Sequence, residues 1–254
     1  MVVHATPISG PELFFRFAQP PNLLGYCGPS ETGGVTAVAS GISIPTEEMA
    51  RLAAAFDGAW PYLELISTRS GRDAFDSEVV EAYWIGNALL NGVSLFDWGH
   101  TASDRFQRQA GDRWPAVVNA LNAGGMPNHA FHVFCVYPWV GLLREGFIAP
   151  SLEVLDRCRI SWGSVNRIDG LIAEVRRHPL RWVDDSLVIG EAIVEPFRVA
   201  SDLQLKVGDQ VALHWDFICG VLGEDQSSRL MRVHAHHLAI ANNELRVARL
   251  EPSR

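Results

Sequence analysis

The chain has 254 residues, 48 % apolar and 20 % charged, a composition that excludes a disordered chain and supplies enough apolar surface for a core. Lys plus Arg total 21 against 29 Asp plus Glu, a formal charge of −8, and a chain of that sign is not built to wrap a phosphate backbone. No stretch reaches the ~20 apolar residues of a bilayer span, and the start lacks the basic-then-apolar pattern of a signal peptide, so a cytoplasmic protein with no nucleic-acid or membrane partner is expected.

Up to residue 150 the periodicity is helical. Thr46 predicts an N-cap for a helix over Glu47 to Phe56, with acidic residues in the first turn where the helix dipole favours them. Asp76 or Ser77 predicts the cap of a helix running to Leu90. Val79, Tyr83, Gly86 and Leu90 share one face of it, and Gly92 ends it. Ser94 predicts a further helix to about Gln109, and another starts at Gly111 or Asp112 with Pro115 in its first turn. The densest apolar run, Phe131 to Leu143, contains Pro138 and Gly141 and reads as a buried helix or a packed turn.

After residue 150 the pattern turns to β. Arg159 to Ile168 and Leu171 to Arg176 flank Asp169-Gly170, a strong local hairpin signal. Leu180 to Val183 and Leu187 to Ile189 predict a second hairpin on Asp184-Asp185-Ser186. Ala192 to Val199 and Gln210 to Trp215 predict a third strand pair, and Glu224 to Asn242 a terminal helix. The expected class is α+β. An all-α domain over residues 1–150 precedes a small closed barrel or sandwich with a terminal helix over 151–254, with the boundary near Ala149-Pro150-Ser151.

Four cysteines, Cys27, Cys135, Cys158 and Cys219, form no CxxC pair, so in a reducing compartment they are free thiols. Cys158 lies between Arg157 and Arg159, whose charges favour a thiolate able to hold a metal; the alternative is a small apolar residue opening a strand. His214 precedes Asp216 by two residues, so on a strand the carboxylate would orient the imidazole. In the helical half, His129 and His132 share a helix face and with Cys27 make a mixed ligand set, with Glu81 as a hydrogen-bonding neighbour; a buried His pair bound to backbone is the other reading. His234 and His237 share a face of the terminal helix, and His236 points elsewhere. There is no phosphate loop with a Lys, no nucleophile-elbow serine and no HExxH.

Two segments of the second half carry a resemblance. Cys158-Arg-Ile-Ser-Trp-Gly163-Ser-Val-Asn-Arg-Ile-Asp169-Gly170-Leu-Ile-Ala-Glu-Val175 and Leu205-Lys-Val-Gly208-Asp209-Gln-Val-Ala-Leu-His214-Trp-Asp-Phe217-Ile resemble the HypC/HupF family of [NiFe]-hydrogenase maturation chaperones. The resemblance implies an OB-like barrel closed by a helix and a metallochaperone that carries iron as Fe(CN)2(CO). It implies Cys158 as the iron thiolate with His214 beside it, a HypD-like protein and the hydrogenase large-subunit precursor as partners, and Arg157 and Arg159 as groups that keep the sulfur charged and pair with cyanide nitrogens. Here the cysteine is internal, Trp162 stands where the family has a proline, and the segment His178 to Gln204 is longer. The whole chain also resembles an uncharacterised bacterial family, through Gly25-Tyr-Cys-Gly-Pro29, Glu81-Ala-Tyr-Trp-Ile-Gly-Asn87 and His129-Ala-Phe-His-Val-Phe-Cys-Val-Tyr-Pro-Trp-Val-Gly-Leu-Leu143. Three functions follow as expectations: an iron-centre assembly factor using Cys158 and His214, a metal-dependent enzyme using Cys27, His129 and His132, or a non-catalytic interaction module.

Overall fold

The structure is a computed structural model and describes residues 8–200 and 202–250. Seven helices come first: α1 (Gly10–Leu23), α2 (Thr32–Ala39), α3 (Thr46–Ala54), α4 (Trp60–Ser70), α5 (Ser77–Trp84), α6 (Leu95–Ala110) and α7 (Trp114–Asn122). The caps follow the sequence. The Asp76 carboxylate accepts from the Glu78 N–H, and the Ser94 hydroxyl accepts from the Asp97 N–H. Thr46 is the first helical residue rather than the cap, with Pro45 before it. The helix expected to reach Leu90 stops at Trp84 because Gly86 turns the chain at φ 94°, and a 3-10 turn over Ala88–Gly92 then buries Leu90. A Cβ at Gly86 would stand 2.7 Å from Val233 Cγ2, so the break also brings the terminal helix close.

The apolar run becomes a short α8 (His129–Phe131), a π-helical turn (His132–Val136) and α9 (Trp139–Arg144). α10 (Ile148–Cys158) runs across the expected boundary, and Cys158 is its last residue rather than the first of a strand. β1 (Ser161–Asp169), β2 (Ile172–Arg177), β3 (Leu180–Val183), β4 (Ser186–Ile189), β5 (Ile193–Val199), β6 (Gln210–His214) and β7 (Phe217–Val221) follow, and α11 (Glu224–Leu250) closes the described chain. Among the described residues, no helix is long and apolar enough to cross a membrane.

β1, β2, β5, β7 and β6 form a closed barrel in that order, and β3 and β4 make a separate hairpin. Gly170 at φ 59° turns β1 into β2, and Asp184 and Asp185, at φ 47° and 55°, turn β3 into β4, as both sequence signals require. β5 and β6 do not pair. β7 lies between them, parallel to β5 and antiparallel to β6. Sequence reasoning missed β7 because no glycine or proline marks the corner: Trp215 makes it, in the left-handed region at φ 55°. Gly163 in β1 is required for a different reason, since a Cβ there would meet Val175 Cγ1 at 2.5 Å and the Arg176 carbonyl at 2.6 Å.

The barrel interior packs Val165, Ala173, Val175, Phe197, Val211, Leu213 and Ile218. The helical core, built on Phe14, Phe15, Tyr62, Tyr83 and Trp84, continues without a break to Ile160, Ala212 and Cys219 of the barrel segment and Leu230 of α11. A third cluster joins α9, α10 and the β3–β4 hairpin to α11 through Leu143, Leu155, Leu180, Leu187 and Leu245. The longer segment after His178 is thus a hairpin that covers the end of α10.

A buried ion network fixes that end. Asp156 accepts from Arg159 at 3.1 Å, from Arg177 at 2.8 Å and from the Leu180 N–H at 2.7 Å. Burial alone raises the Asp156 carboxyl, but the hydrogen bond from Arg177 and the charge of Arg159 outweigh it and hold the group below its ordinary range. Replacing Asp156 with Asn leaves two buried guanidinium groups short of counter-charge. We expect Asp156→Asn to lower unfolding free energy by about 3 kcal/mol in urea titrations at neutral pH. The wild-type margin shrinks as pH falls below the ordinary carboxyl range, because the lowered carboxyl contributes stability only above it.

Candidate functional site

Where α1, α5, the π-helical turn, α10 and the β6–β7 corner meet, they enclose a cavity of about 240 Å³. All five candidate ligands from both sequence-derived sets line it: Cys27, His129, His132, Cys158 and His214. The two sets are one site. One ligand atom from each of His129, Cys158 and His214 lies within 4.8 Å of the others, and all three residues are buried. Metal–nitrogen and metal–sulfur bonds of about 2.0–2.3 Å need donor separations of at most roughly 4.5 Å, so small side-chain adjustments would close the set on one ion.

The backbone prepares one donor more fully than the others. His214 Nδ1–H donates to the Phe17 carbonyl of α1 at 2.7 Å, which leaves the lone pair on Nε2. That Nε2 is buried and finds no hydrogen-bond partner among the described residues. A ring nitrogen fixed through its opposite N–H is the usual arrangement of a metal-binding histidine. His129 is already engaged on both sides. Its Nε2–H donates to the Cys158 carbonyl at 2.8 Å, and its Nδ1 meets the Tyr83 hydroxyl at 3.1 Å. To join an ion it would have to exchange one of these bonds; through the Cys158 carbonyl it holds the end of α10 in place. Trp84 covers both rings, with centroids 4.8 Å from His129 and 5.7 Å from His214.

His132 opens the π-helical turn. The Tyr137 N–H donates to the His132 carbonyl at 2.9 Å, the wide spacing of that turn. This returns Tyr137 to His132, with ring centroids 4.3 Å apart, and both line the cavity. His132 Nδ1 meets the Tyr62 hydroxyl at 2.9 Å, while Nε2 has no partner among the described residues. Sequence reasoning missed Tyr137, Gly58 and Trp215 as lining residues; Tyr137, eight positions after His129, falls on the same helical face, and that spacing was the signal that could have found it.

Among the described residues that line the cavity there is no Asp, Glu, Lys or Arg. Burial pushes His129 down to about 4, and His132 and His214 down to about 3, with the neighbouring His129 adding to the last two. The Cys27 thiol is pushed up to about 12 by burial, and the Cys158 thiol is also pushed up, by burial and then by Cys27. Without a metal the site is therefore neutral at pH 7.

The four helper residues go elsewhere. Arg157 pairs with Glu195 at 3.1 Å, and Arg159 is engaged by Asp156, His234 and the His178 carbonyl. Neither lines the cavity, so the expectation that they keep Cys158 charged is corrected: burial dominates and the arginine charges are spent on carboxylates. Asp216 lies beyond the left-handed Trp215 and pairs with Arg198 at 3.0 Å, leaving His214 to the Phe17 carbonyl. Glu81 binds Arg229 at 2.7 Å and Gln226 at 2.6 Å, tying α5 to α11. His234 and His237 are buried and packed; His237 Nε2 accepts the Met126 N–H at 3.1 Å.

Fold and site together define a helical-and-barrel protein with a buried His/Cys cavity at the junction of its two parts. The chain belongs to DUF6390, a family of unknown function whose model matches residues 6–248, and so covers helices and barrel alike. No HypC/HupF family match accompanies it. No curated protein and no solved structure matches the chain.

Five buried histidines, His129, His132, His214, His234 and His237, are held neutral by burial. Above about pH 6.5 they are neutral in both folded and unfolded chains and cost nothing. Below it only the unfolded chain takes up protons. We expect chelator-treated protein to lose stability as pH falls from about 6.5 toward 4, by up to about 1.4 kcal/mol per pH unit for each histidine. Urea midpoints across that range measure this, and a flat profile contradicts neutral burial.

Proposed function

We propose that the protein is a HypC-like metallochaperone or assembly factor for the iron centre of [NiFe]-hydrogenase, binding iron through Cys158, His214 and His129. The observation that carries the reading is the closeness of these three donors, within 4.8 Å of one another in one cavity. The thiolate suits a low-spin iron with strong-field ligands, and three protein donors are what an octahedral Fe(CN)2(CO) fragment lacks. That fragment is neutral when its iron is ferrous, in keeping with a lining that carries no charged side chain. The strand order also supports the likeness. Counting only barrel strands it runs first, second, third, fifth, fourth, with one parallel pair, the arrangement of an OB barrel.

The structure adds a feature the family resemblance does not contain. The sulfur sits at the end of α10, held by His129 and the Asp156 network, and His129 comes from the helical part. The helical part thus supplies a ligand that another chain would otherwise bring. A HypD-like protein and the hydrogenase large-subunit precursor are the proposed partners, and the cell interior the proposed location.

Because the Cys158 thiol is protonated before metal arrives, binding must release its proton, and affinity must rise with pH. Anaerobic titration with ferrous iron should give one equivalent bound and about one proton released. Cys158→Ala and His214→Ala should each weaken binding by at least about tenfold, and protein purified anaerobically from cells making the hydrogenase should carry infrared bands of iron-bound CO and cyanide. Iron that survives both variants but is lost in His132→Ala would instead assign the metal to Cys27, His129 and His132, the enzyme reading. Absence of both iron binding and infrared bands overturns both.

A further inference from the structure

The cavity is larger than its donor cluster. At about 240 Å³ it exceeds the roughly 150 Å³ of an engineered apolar cavity that takes benzene. Phe56, Trp84, Trp139, Ala18, Pro21 and Val154 give it apolar walls. Its polar features gather away from the thiol as well as beside it. His132 is 1 % exposed and its Nε2 has no partner among the described residues. The point where a Gly58 Cβ would stand lies 2.9 Å from His132 Nε2 and 3.2 Å from the Tyr137 hydroxyl. Gly58 is absent from the positive-φ glycines, so its backbone does not require glycine. Gly58, His132 and Tyr137 all line the cavity, and a side chain at Gly58 would press on the two hydrogen-bonding atoms.

We propose that this cavity binds a small neutral molecule, about one aromatic ring in size, whose single hydroxyl group bonds to His132 Nε2 and Tyr137 Oη in front of Gly58. The ring is set by the volume and the aromatic walls. Neutrality is set by the absence of any charged lining residue: an ionised carboxylate would lose its hydration with no counter-charge to meet it. A hydroxyl is set by the Tyr62–His132 bond, whose direction decides whether Nε2 donates or accepts, and a hydroxyl satisfies either case. The inference does not rest on the metal reading, because none of these groups is Cys158, His214 or His129.

Phenol is the probe, with benzoate as its charged counterpart, tested on the full-length chelator-treated protein. Phenol should quench the fluorescence of the lining tryptophans and raise the melting temperature with a dissociation constant on the order of 1 mM or below, and benzoate should do neither at the same concentration. Gly58→Ala, which places a methyl group against His132 and Tyr137, should weaken phenol at least about tenfold. His132→Phe, which keeps a ring among its aromatic neighbours but removes the bond, should weaken it about five- to tenfold and bring phenol to the affinity of benzene. Each variant is compared by its own melting curve, so a Gly58→Ala chain that fails to fold leaves His132→Phe to decide. Arg167→Ala, which breaks a surface pair with Glu174 away from the cavity, should bind phenol as the parent does. No phenol binding, equal binding of benzoate, affinity unchanged by both cavity variants, or loss in Arg167→Ala each overturns the inference.

Discussion

A single buried carboxylate sets the geometry on which the cavity depends. Asp156 receives Arg159 from the residue pair after α10, Arg177 from β2 and the Leu180 N–H from β3. Helix, barrel and hairpin are thereby joined at one point, two residues before Cys158. Arg177 also reaches Glu195 on β5 at 2.5 Å, which extends the tie to a second barrel strand. Such a cluster loses much of its Coulomb attraction to desolvation, so it is a poor source of stability compared with well-packed hydrocarbon. Its effect is on register. Sliding α10 along the barrel would strand buried charge, whereas sliding a purely apolar contact would cost far less.

That constraint also explains the neutrality of the site. Adjacency in sequence sets the two arginines beside Cys158 but does not aim them at its sulfur. On a helix end they diverge, toward Glu195 in one case and into the Asp156 network in the other. Cys158 is left facing aromatic rings and two histidines, and each of these groups is driven by burial to its uncharged form. A protonated thiol beside neutral imidazoles is a resting state without net charge to compensate. The sulfur would then lose its proton only to a metal centre that bonds it directly, so that ionisation and metal binding would be one event.

Much of this was legible in the sequence. The turn chemistry of Asp169-Gly170 and Asp184-Asp185, the Asp76 and Ser94 caps and the helical first half all follow from local preferences. The five ligand candidates were also identifiable, because His and Cys in apolar surroundings stand out in a reading by residue type. The three quoted family segments even share a fate: Tyr26 and Cys27, Tyr83 and Trp84, and His129, His132, Tyr137 and Trp139 all line one cavity. What local rules could not supply was the long-range pairing that unites the two ligand sets. His129 and His214 lie 85 positions apart, and no local periodicity reports a contact of that range. β7 was hidden because a tryptophan occupies a left-handed corner, where glycine or asparagine is the ordinary signal.

The same tryptophan bears on how anything enters. Trp215 stacks on Tyr26, with ring centroids 4.3 Å apart, and this pair forms a wall between the cavity and an outer cleft lined by Glu153, Arg157, Glu195 and Asp216. Tyr26 is 53 % exposed, and its ring is held by a stacking contact worth about 1 kcal/mol, while its N–H donates to the Pro21 carbonyl at 2.9 Å and Asn22 Nδ2 donates to the Cys27 and Pro29 carbonyls of the same loop. Trp215 holds the other half in a backbone conformation that costs a bulky residue energy, while its N–H to the Arg157 carbonyl, at 2.7 Å, ties it back to α10. An internal cysteine fixed behind such a wall cannot reach out to another chain as a free N-terminal residue can. A visitor entering by this wall would pass Tyr26 and the charged rim of the outer cleft before it reached the thiol.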